Sequence, residues 1–376
     1  MRYQRAAWLP LGIGLLFLTI RGVAAPVRDL ASTLIPIRNQ NNVPALAGAV
    51  IRSNQVVALG AVGVRVWQTK NTVTTNDVWH LSSLTKPMTA TLAARLVEKG
   101  RIAWTNTIGQ SFPEATVHPK FKDVTLEQLL AHRGGVHGQE ELQAVGLWEK
   151  VRAQTGTVAE QRLFWVTNVL ALGPVVRPGS KSLYSNTGYV IAALMLERVT
   201  GKPWEQLMRE EVFEPLGMTT AGFGVPDASG TTNQPWGHRR MFMTMPVAPG
   251  PKADNPPAFG PAGTVYCSIG DLANFVAAHL ARETSDTPFL KKESFAKLHA
   301  AFDGGELAMG WNIVKRDWGG KGIILTHSGS NTTFFAVVWI APARDFAVVA
   351  ATNLGSEDGF KACDQLVGSM VTEYLK

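Results

Sequence analysis

The sequence predicts an α/β fold of the α+β type, in which one antiparallel sheet is flanked by helices and interrupted by a long, mostly helical insertion. Short runs of β-branched and aromatic residues lie near both ends of the chain, at 45–64 and 309–353. Helical patterns dominate the stretch between them. With 45% hydrophobic and 17% charged residues among 376, the chain can bury a large core.

Residues 1–25 have the pattern of an export signal, with two arginines at the start, an apolar run over 6–20 and small residues at the end. Pro10 interrupts the run, which is shorter than the ~20 residues that span a bilayer. Pro26 would hinder cleavage directly before it, so a cut one residue earlier or an uncleaved membrane anchor stays open. We expect a periplasmic or secreted protein with its catalytic domain at 26–376.

The net charge, the cysteines and the histidines argue against several classes of function. The formal net charge is +7, and removal of the signal takes away three arginines and leaves +4. Basic residues are scattered, which gives no support for nucleic-acid binding. The two cysteines, Cys267 and Cys363, are too few for a disulfide framework, and whether they pair is open. The eight histidines show no ligand spacing, so we expect no metal and no cofactor.

The elements begin with a predicted helix over 27–41, which contains Pro36. Residues 45–51 and 55–64 then predict two strands joined by a turn. At the other end, four more strands and a helical tail from about Gly359 are expected; the strands are 309–316, 322–328, 332–341 and 345–353. The sheet part therefore covers about 27–80 and 300–376, and the helical part about 81–299.

Two helices of the insertion have clear ends. Thr125 and Gln128 form a capping box that starts a helix expected to stop at Gly134. Residues 187–200 carry one apolar stripe and end at Gly201.

The segment 227–263 is rich in Pro, Gly and Asn, which predicts a long loop and a candidate pocket wall. His238, within this loop, is expected at the surface. The tryptophans are expected to serve mainly in packing, among them Trp148, Trp165 and Trp236.

Ser83 precedes Lys86 by three residues in "HLSSLTKPMTA", so both side chains lie on nearly the same face of a helix. A desolvated lysine can take the proton of a serine hydroxyl and activate it as a nucleophile. The spacing alone is weak evidence, because Ser294 and Lys297 repeat it among charged residues that predict a solvated face. Pro87 lacks the N–H that a regular first turn would use, so we expect the helix to start irregularly.

Two further stretches strengthen the functional interpretation. "YSN" places Tyr184 and Asn186 just before a helix, where a phenol and an amide can point into a cleft. "HSG" places His327 and Gly329 at the end of a strand, where glycine allows a substrate backbone to lie close. Taken singly, Asn186 is more simply interpreted as a helix cap, Tyr184 as a buried tyrosine and His327 as a surface histidine.

Together, the three motifs resemble those of the serine β-lactamase and penicillin-binding-protein-like superfamily. The chain most resembles the class C β-lactamase-related branch, with its D-aminopeptidases, family VIII esterases and DD-carboxypeptidases. Similar stretches in family order are "LSSLTKPMTA", "VTLEQLLAHRGGV", "YSNTGY", "EPLGM", "PAGTVYCSIGDLANF", "HSGSN" and "VVAATN". The resemblance spans nearly all of 26–376 and implies a five-stranded antiparallel sheet flanked by terminal helices, with an inserted all-α region.

The resemblance also implies roles for the site residues. Ser83 would form the acyl-enzyme, with Lys86 as its proton partner and Tyr184 as the general base that protonates the leaving group. Which of Lys86 and Tyr184 takes the first proton is open, and Asn186 would hold either the substrate amide or the Lys86 amine. Substrate-binding positions would be Asn186, His327, Ser328, Gly329 and Ser330, with the backbone N–H groups of Ser83 and Ser330 as oxyanion donors.

One departure from the antibiotic-hydrolysing pattern is His327, which stands where class C β-lactamases carry a lysine that binds the substrate carboxylate. An imidazole is mostly uncharged at neutral pH unless the site raises its pKa. If His327 must be charged to hold a carboxylate, activity on acidic substrates will fall as pH rises through its pKa. A histidine here suits D-aminopeptidase-like or esterase-like relatives.

The sequence therefore predicts an exported serine hydrolase that cleaves an amide, peptide or ester bond of a small-molecule or peptide substrate. Two alternatives stay open. The first is a true β-lactamase or DD-carboxypeptidase, and the second is a penicillin-binding sensor that acylates and barely deacylates. The sequence assigns neither the stereochemistry of the substrate nor an oligomeric state, and it suggests membrane contact only through an uncleaved signal.

Overall fold

A computed structural model describes residues 26–138, 142–143, 145–250, 252–281 and 288–375. The expected export signal at 1–25 lies outside them. The described helices are α1 Ala31–Gln40, α2 Thr85–Glu98, α3 Ile108–Ser111, α4 Leu126–Leu130, α5 Leu147–Arg152, α6 Val158–Leu172, α7 Asn186–Thr200, α8 Trp204–Met208, α9 Gly260–Gly263, α10 Ile269–Leu280, α11 Lys292–His299 and α12 Glu357–Tyr374.

The strands form one large sheet and two small ones. They are β1 Arg28–Asp29, β2 Ala45–Arg52, β3 Gln55–Gly63, β4 Val78–His80, β5 Gly222–Phe223, β6 Gly237–Arg240, β7 Thr244–Val247, β8 Val265–Ser268, β9 Asn312–Val314, β10 Ile324–Ser330, β11 Phe335–Ala341 and β12 Phe346–Thr352. The small sheets have the orders β4-β8-β5 and β6-β7.

The large sheet has the order β1-β3-β2-β12-β11-β10-β9, so the predicted fold class is confirmed but the count of five strands is not exact. The five long strands, from β3 to β10, pair antiparallel as predicted. One edge is extended by β9, which keeps only three residues of the strand expected at 309–316. The other edge is extended by the two-residue β1, parallel to β3, which is too short to leave a periodic signal in the sequence.

The sheet is covered on both faces, which explains the nearly continuous apolar runs in its central strands. Leu46 and Val50 of β2 belong to a core that α1 and α12 complete, with Leu34 and Leu366 among its members. The alternate residues of β2 join the main core, to which α10 contributes Phe275. The helices at the two ends of the chain therefore flank the sheet, as predicted.

The helical part begins and ends its helices largely where the sequence indicates. The Thr125 and Gln128 side chains each accept the other residue's backbone N–H as a capping box requires, although α4 ends at Leu130 rather than at the predicted glycine. α7 ends on Gly201 in the left-handed conformation, with φ of 70°. Cys267 and Cys363 are separate, buried thiols. In the described part of the chain, no helix is long and apolar enough to cross a membrane.

The segment 227–263 is not simply a loop, because it contains the β6–β7 hairpin and the short helix α9. The expectation that His238 is a surface residue is wrong. Its Nε2 accepts a hydrogen bond from the Trp67 amide at 2.9 Å, and its Nδ1 donates to the Asn353 carbonyl at 2.8 Å. These backbone contacts fix the hairpin against the sheet and exclude water from the imidazole, which is 0% exposed.

Candidate active site

The nucleophile candidate lies in an irregular turn, as the proline predicted. Ser82–Leu84 form a 3-10 turn that leads into α2. Pro87 has no N–H, so the Ser83 carbonyl receives no α-helical bond from it. Ser82 has a left-handed φ of 50°, which is uncommon for a residue other than glycine. The chain therefore turns sharply just before Ser83 and presents its side chain at the start of the helix.

Two predicted residues converge on the Ser83 hydroxyl. Lys86 Nζ lies 3.0 Å from Ser83 Oγ, and the Tyr184 hydroxyl lies 2.8 Å from the same atom. α2 supplies the lysine, and the loop before α7 supplies the tyrosine about 100 positions later in the chain. Spacing paired Ser83 with Lys86 and the family resemblance implied Tyr184, and tertiary packing brings the tyrosine to the serine.

Lys86 is completely buried, with 0% of its surface exposed. Besides Ser83, its amine contacts Asn186 Oδ1 at 2.7 Å and the Ala262 carbonyl oxygen at 2.8 Å. Among the described residues, no carboxylate pairs with it. Burial therefore lowers the pKa of Lys86 well below its ordinary value, since desolvation disfavours the ammonium form.

Asn186 is the first residue of α7 but does not cap it. Ser185 is the cap, and its hydroxyl accepts the Gly188 amide. The Asn186 side chain is left free to accept a hydrogen bond from the Lys86 amine. The structure shows the contact with the Lys86 amine, which is one of the two roles considered for Asn186.

Tyr184 is held by His132, a residue that the sequence reasoning did not single out. Their rings stack with centroids 4.5 Å apart, and the Ser185 amide donates to His132 Nδ1 at 3.1 Å. Burial raises the pKa of Tyr184 to about 12, and its hydrogen bond to Ser83 opposes this only in part. Although 48% of the residue is exposed, its hydroxyl end lies on Ser83 Oγ. The phenol is therefore protonated at neutral pH.

The strand β10 passes directly over the turn that carries Ser83. A Cβ at Gly329 would lie 2.1 Å from the Leu81 carbonyl oxygen and 2.6 Å from the Ser83 amide nitrogen. Glycine is required here by the protein's own backbone, whereas the sequence had suggested a substrate. This close approach brings Ser330, the next residue, beside the turn of the nucleophile.

His327 lies on the same strand, buried and 6% exposed, so the simpler interpretation of it as a surface histidine is wrong. Desolvation, together with Lys86, lowers the pKa of His327 to about 3, and the Gly310 carbonyl offsets this only in part. The imidazole is therefore neutral at neutral pH. His327 and Ser328 line a cavity of about 330 Å³ together with Tyr184 and His132.

Two other features were missed in the sequence. His80 and Asp254 contact each other at 2.8 Å next to the turn of the nucleophile. The separation of 174 positions between them gives no local pattern, and only His80 stood inside a motif that attracted attention. A larger cavity of about 450 Å³ includes Asp254 in its wall but none of the predicted site residues.

The arrangement defines the class of protein: a serine hydrolase of the β-lactamase and penicillin-binding-protein type. The chain belongs to the beta-lactamase family, since residues 29–369 match the family model described as Beta-lactamase. It is 26% identical over 336 residues to penicillin-binding protein 4 of Amycolatopsis lactamdurans, covering 86% of this chain and 84% of the relative. It is 23% identical over 319 residues to D-alanyl-D-alanine-carboxypeptidase/endopeptidase AmpH of Escherichia coli, covering 79% and 76%.

Solved structures share the fold. An octameric penicillin-binding protein homologue from Pyrococcus abyssi superposes with a TM-score of 0.73 at 21% identity, covering 91% of this chain and 76% of the other. A D-stereospecific amidohydrolase from Streptomyces sp. gives a TM-score of 0.67 at 19% identity, covering 88% and 95%. These likenesses establish the architecture.

Proposed function

We propose that the protein hydrolyses an amide, peptide or ester bond through an acyl-enzyme on Ser83, with Lys86 and Tyr184 as acid and base. One observation carries this proposal. The Ser83 hydroxyl lies within hydrogen-bond distance of a fully buried amine and of a phenol at the same time. A serine becomes a nucleophile when a neighbouring base accepts its proton, and both partners here are positioned for proton transfer.

Lys86 is the base for the first step. A neutral amine has two N–H donors and one lone pair, and the contacts around Nζ fit that form. Asn186 Oδ1 and the Ala262 carbonyl oxygen are pure acceptors and take the two N–H groups. The lone pair then faces the Ser83 hydroxyl. Burial lowers the pKa of Lys86, which favours the neutral amine, and raises the pKa of Tyr184 to about 12, which keeps the phenol protonated.

In acylation, Ser83 Oγ attacks the substrate carbonyl carbon while its proton moves to Lys86 Nζ. The tetrahedral oxyanion is held by the Ser83 and Ser330 amides. Tyr184 donates its proton to the leaving group as the acyl bond breaks, and the lysine ammonium returns a proton to the phenolate. In deacylation, water attacks the ester, loses a proton to this pair, and Ser83 recovers its hydroxyl.

The neutral His327 bears on the substrate. A group with a pKa of about 3 supplies no positive charge for a substrate carboxylate at neutral pH. The nine residues that line the adjoining cavity include no lysine, arginine, aspartate or glutamate. These observations favour esterase-like or D-amino-acid amidase-like substrates over penicillins, cephalosporins and peptides with a free terminal carboxylate.

The test is intact-protein mass spectrometry of the protein and its Ser83→Ala variant with four probes: a fluorophosphonate, a penicillin, a p-nitrophenyl ester and a D-amino-acid amide. We expect adducts or turnover only when Ser83 is present, with the ester or the amide preferred. Adduct formation by the Ser83→Ala variant would refute the proposal. A stoichiometric adduct without steady turnover would instead favour the slowly deacylating sensor.

Export is part of the proposal and depends on the pattern at 1–25. We expect the signal to be removed by cleavage next to residue 25, so that the protein acts in the periplasm or outside the cell. N-terminal sequencing after expression in a bacterial host, with fractionation of the cells, tests this. An uncleaved protein found in the cytoplasmic fraction would contradict the expected export.

A further inference from the structure

A chain of buried polar groups runs from Asp254 to the residue before the nucleophile. Asp254 Oδ2 lies 2.8 Å from His80 Nε2, and His80 Nδ1 lies 3.0 Å from Ser82 Oγ. The Ser82 amide donates to the same Nδ1 at 3.1 Å. His80 and Ser82 are each 1% exposed, so these two members of the chain are closed to solvent, while Asp254 lies in the wall of the larger cavity.

The hydrogen bonds fix which nitrogen of His80 carries the proton. An amide N–H only donates, so the Ser82 amide requires a lone pair on Nδ1. The proton therefore lies on Nε2, where the Asp254 carboxylate accepts it. The imidazole in this tautomer holds the Ser82 amide in place, and with it the uncommon φ of 50°.

The other oxygen of Asp254 reaches the second side of the site. Asn331 Nδ2 lies 3.4 Å from Asp254 Oδ1. The orientation of the Asn331 amide is settled, because its Oδ1 accepts the Thr333 and Phe334 amides at 3.2 and 2.9 Å. Asn331 directly follows Ser330, just as Ser82 directly precedes Ser83.

We infer that Asp254 and His80 are positioning residues that hold the two oxyanion donors, the Ser83 and Ser330 amides, at their working separation. This inference rests on the proposed acyl transfer. The Asp254 carboxylate reaches the residue next to each donor. It reaches Ser82, beside Ser83, through His80, and it contacts Asn331, beside Ser330, directly. The connectivity of Ser82, His80 and Asp254 is that of a hydrolytic triad, but Ser82 is buried and has no access to substrate.

Preorganised donors are valuable because they meet the developing charge without rearrangement. Loss of a single oxyanion donor typically costs ~10²- to 10³-fold in kcat. Displacing the Ser83 and Ser330 amides by a few tenths of an ångström weakens their stabilisation of the transition state and leaves the binding of the ground-state substrate nearly intact. The expected signature is thus a loss in kcat with a small change in KM.

The experiment compares Asp254→Asn and His80→Phe with wild type, using a p-nitrophenyl ester and inhibition by phenylboronic acid, whose tetrahedral adduct mimics the oxyanion. We expect kcat to fall ~10- to 100-fold in each variant. KM should stay within about threefold of the wild-type value, and inhibition by the boronic acid should weaken in parallel with the loss in kcat/KM. His80→Gln, which keeps an acceptor and a donor, should restore part of the loss.

Asp227→Asn is the matched control. Asp227 lies in the same segment, is 4% exposed, and accepts hydrogen bonds from Thr232 and Trp236, away from the nucleophile. It should leave kcat and boronic-acid inhibition unchanged, even if it lowers the melting temperature.

Three outcomes overturn the inference. The first is unchanged kcat in folded Asp254→Asn and His80→Phe. The second is a rise in KM without a loss in kcat. The third is an equal effect from Asp227→Asn, which would indicate general destabilisation. Because wild type is assayed with Ser83→Ala in parallel, failure of the acyl-enzyme proposal itself would appear separately, as turnover that survives loss of Ser83.

Discussion

The spacing Ser-x-x-Lys occurs twice in this chain, and the two pairs lie in opposite surroundings. Lys86 is 0% exposed and meets Ser83, Asn186 and a backbone carbonyl. The Lys297 side chain is 38% exposed and forms an ion pair with Glu127. Ser83 lies in the 3-10 turn that leads into α2, whereas Ser294 and Lys297 both lie within α11.

The comparison shows that spacing brings a hydroxyl and an amine together but does not make them reactive. A charged lysine paired with a carboxylate has no lone pair to offer, and solvent stabilises its proton. Burial without a carboxylate partner among the described residues does the reverse: it lowers the pKa of Lys86 and so favours the neutral amine beside Ser83. The chemistry therefore belongs to the packing around the lysine rather than to the four-residue motif.

The largest expected effect separates the two serines. Ser83→Ala should lower kcat/KM on a p-nitrophenyl ester by about 10⁴-fold or more, because the nucleophile is gone. Ser294→Ala makes the same chemical change and should keep activity within twofold. Steady-state kinetics on both purified variants checks this, and comparable activity in the two would remove Ser83 from the mechanism.

The two lysines should differ next. Lys86→Met should reduce kcat/KM by roughly 10²- to 10⁴-fold, the usual contribution of a general base. Lys297→Met should have little effect. In wild type, kcat/KM should rise with pH as Lys86 loses its proton and level off below its ordinary pKa, because burial lowers the pKa. A rate that rises only near pH 10 would contradict the neutral amine.

Substitutions at two glycines test the close approach of β10 to the turn that carries Ser83. Gly329→Ala places a methyl group against the Leu81 carbonyl and the Ser83 amide, so we expect roughly a 10²-fold loss in kcat. A methyl group added at Gly368 in α12 would meet nothing within 4 Å, and Gly368→Ala should be silent or slightly stabilising. Circular dichroism shows whether each variant is folded, and full activity in folded Gly329→Ala would show that the turn tolerates displacement.

The smallest expected effect is on the pH dependence of stability, through His238, a buried histidine outside the site. Burial lowers the pKa of His238 to about 4, so the unfolded chain binds the proton first as pH falls below about 6.5. The stability that neutral His238 contributes is present above pH 6.5 and is lost as pH falls toward 4, by roughly 2 to 3 kcal/mol. Urea midpoints of wild type should thus fall more steeply over pH 6.5 to 4 than those of His238→Gln.

The control for this last prediction is the same pair of proteins well above pH 6.5, where His238 is neutral in both the folded and the unfolded chain and the two slopes should agree. Identical slopes in wild type and His238→Gln below that pH would show that the hairpin opens before the imidazole is protonated.

Much of the candidate site was predictable because its chemistry depends on residue types in a fixed order. Ser83 and Lys86 were found from spacing, and Tyr184, Asn186 and His327 from motifs that resemble those of a known family. The structure brings all five to one cleft. His132 and Asp254 were missed, since they act by contacts with residues 52 and 174 positions away.

The fold shows the same division. The long strands, the terminal helices and the ends of α7 have strong periodic or capping signals, and they were predicted. The edge strand β1 has two residues and the β6–β7 hairpin contains Pro246, and the pairing of both depends on neighbours already in place. Local propensity carries no record of such pairings.

The sequence by itself determined the order of elements, the family resemblance and the residues with the capacity for acyl transfer, because periodicity and motif spacing are local properties. Tertiary structure alone decided the state of those residues. It removed water and counter-ions from Lys86, made His327 neutral and aligned Tyr184 with Ser83. Protonation and orientation depend on what surrounds a group, and those surroundings come from segments that the chain separates by a hundred residues or more.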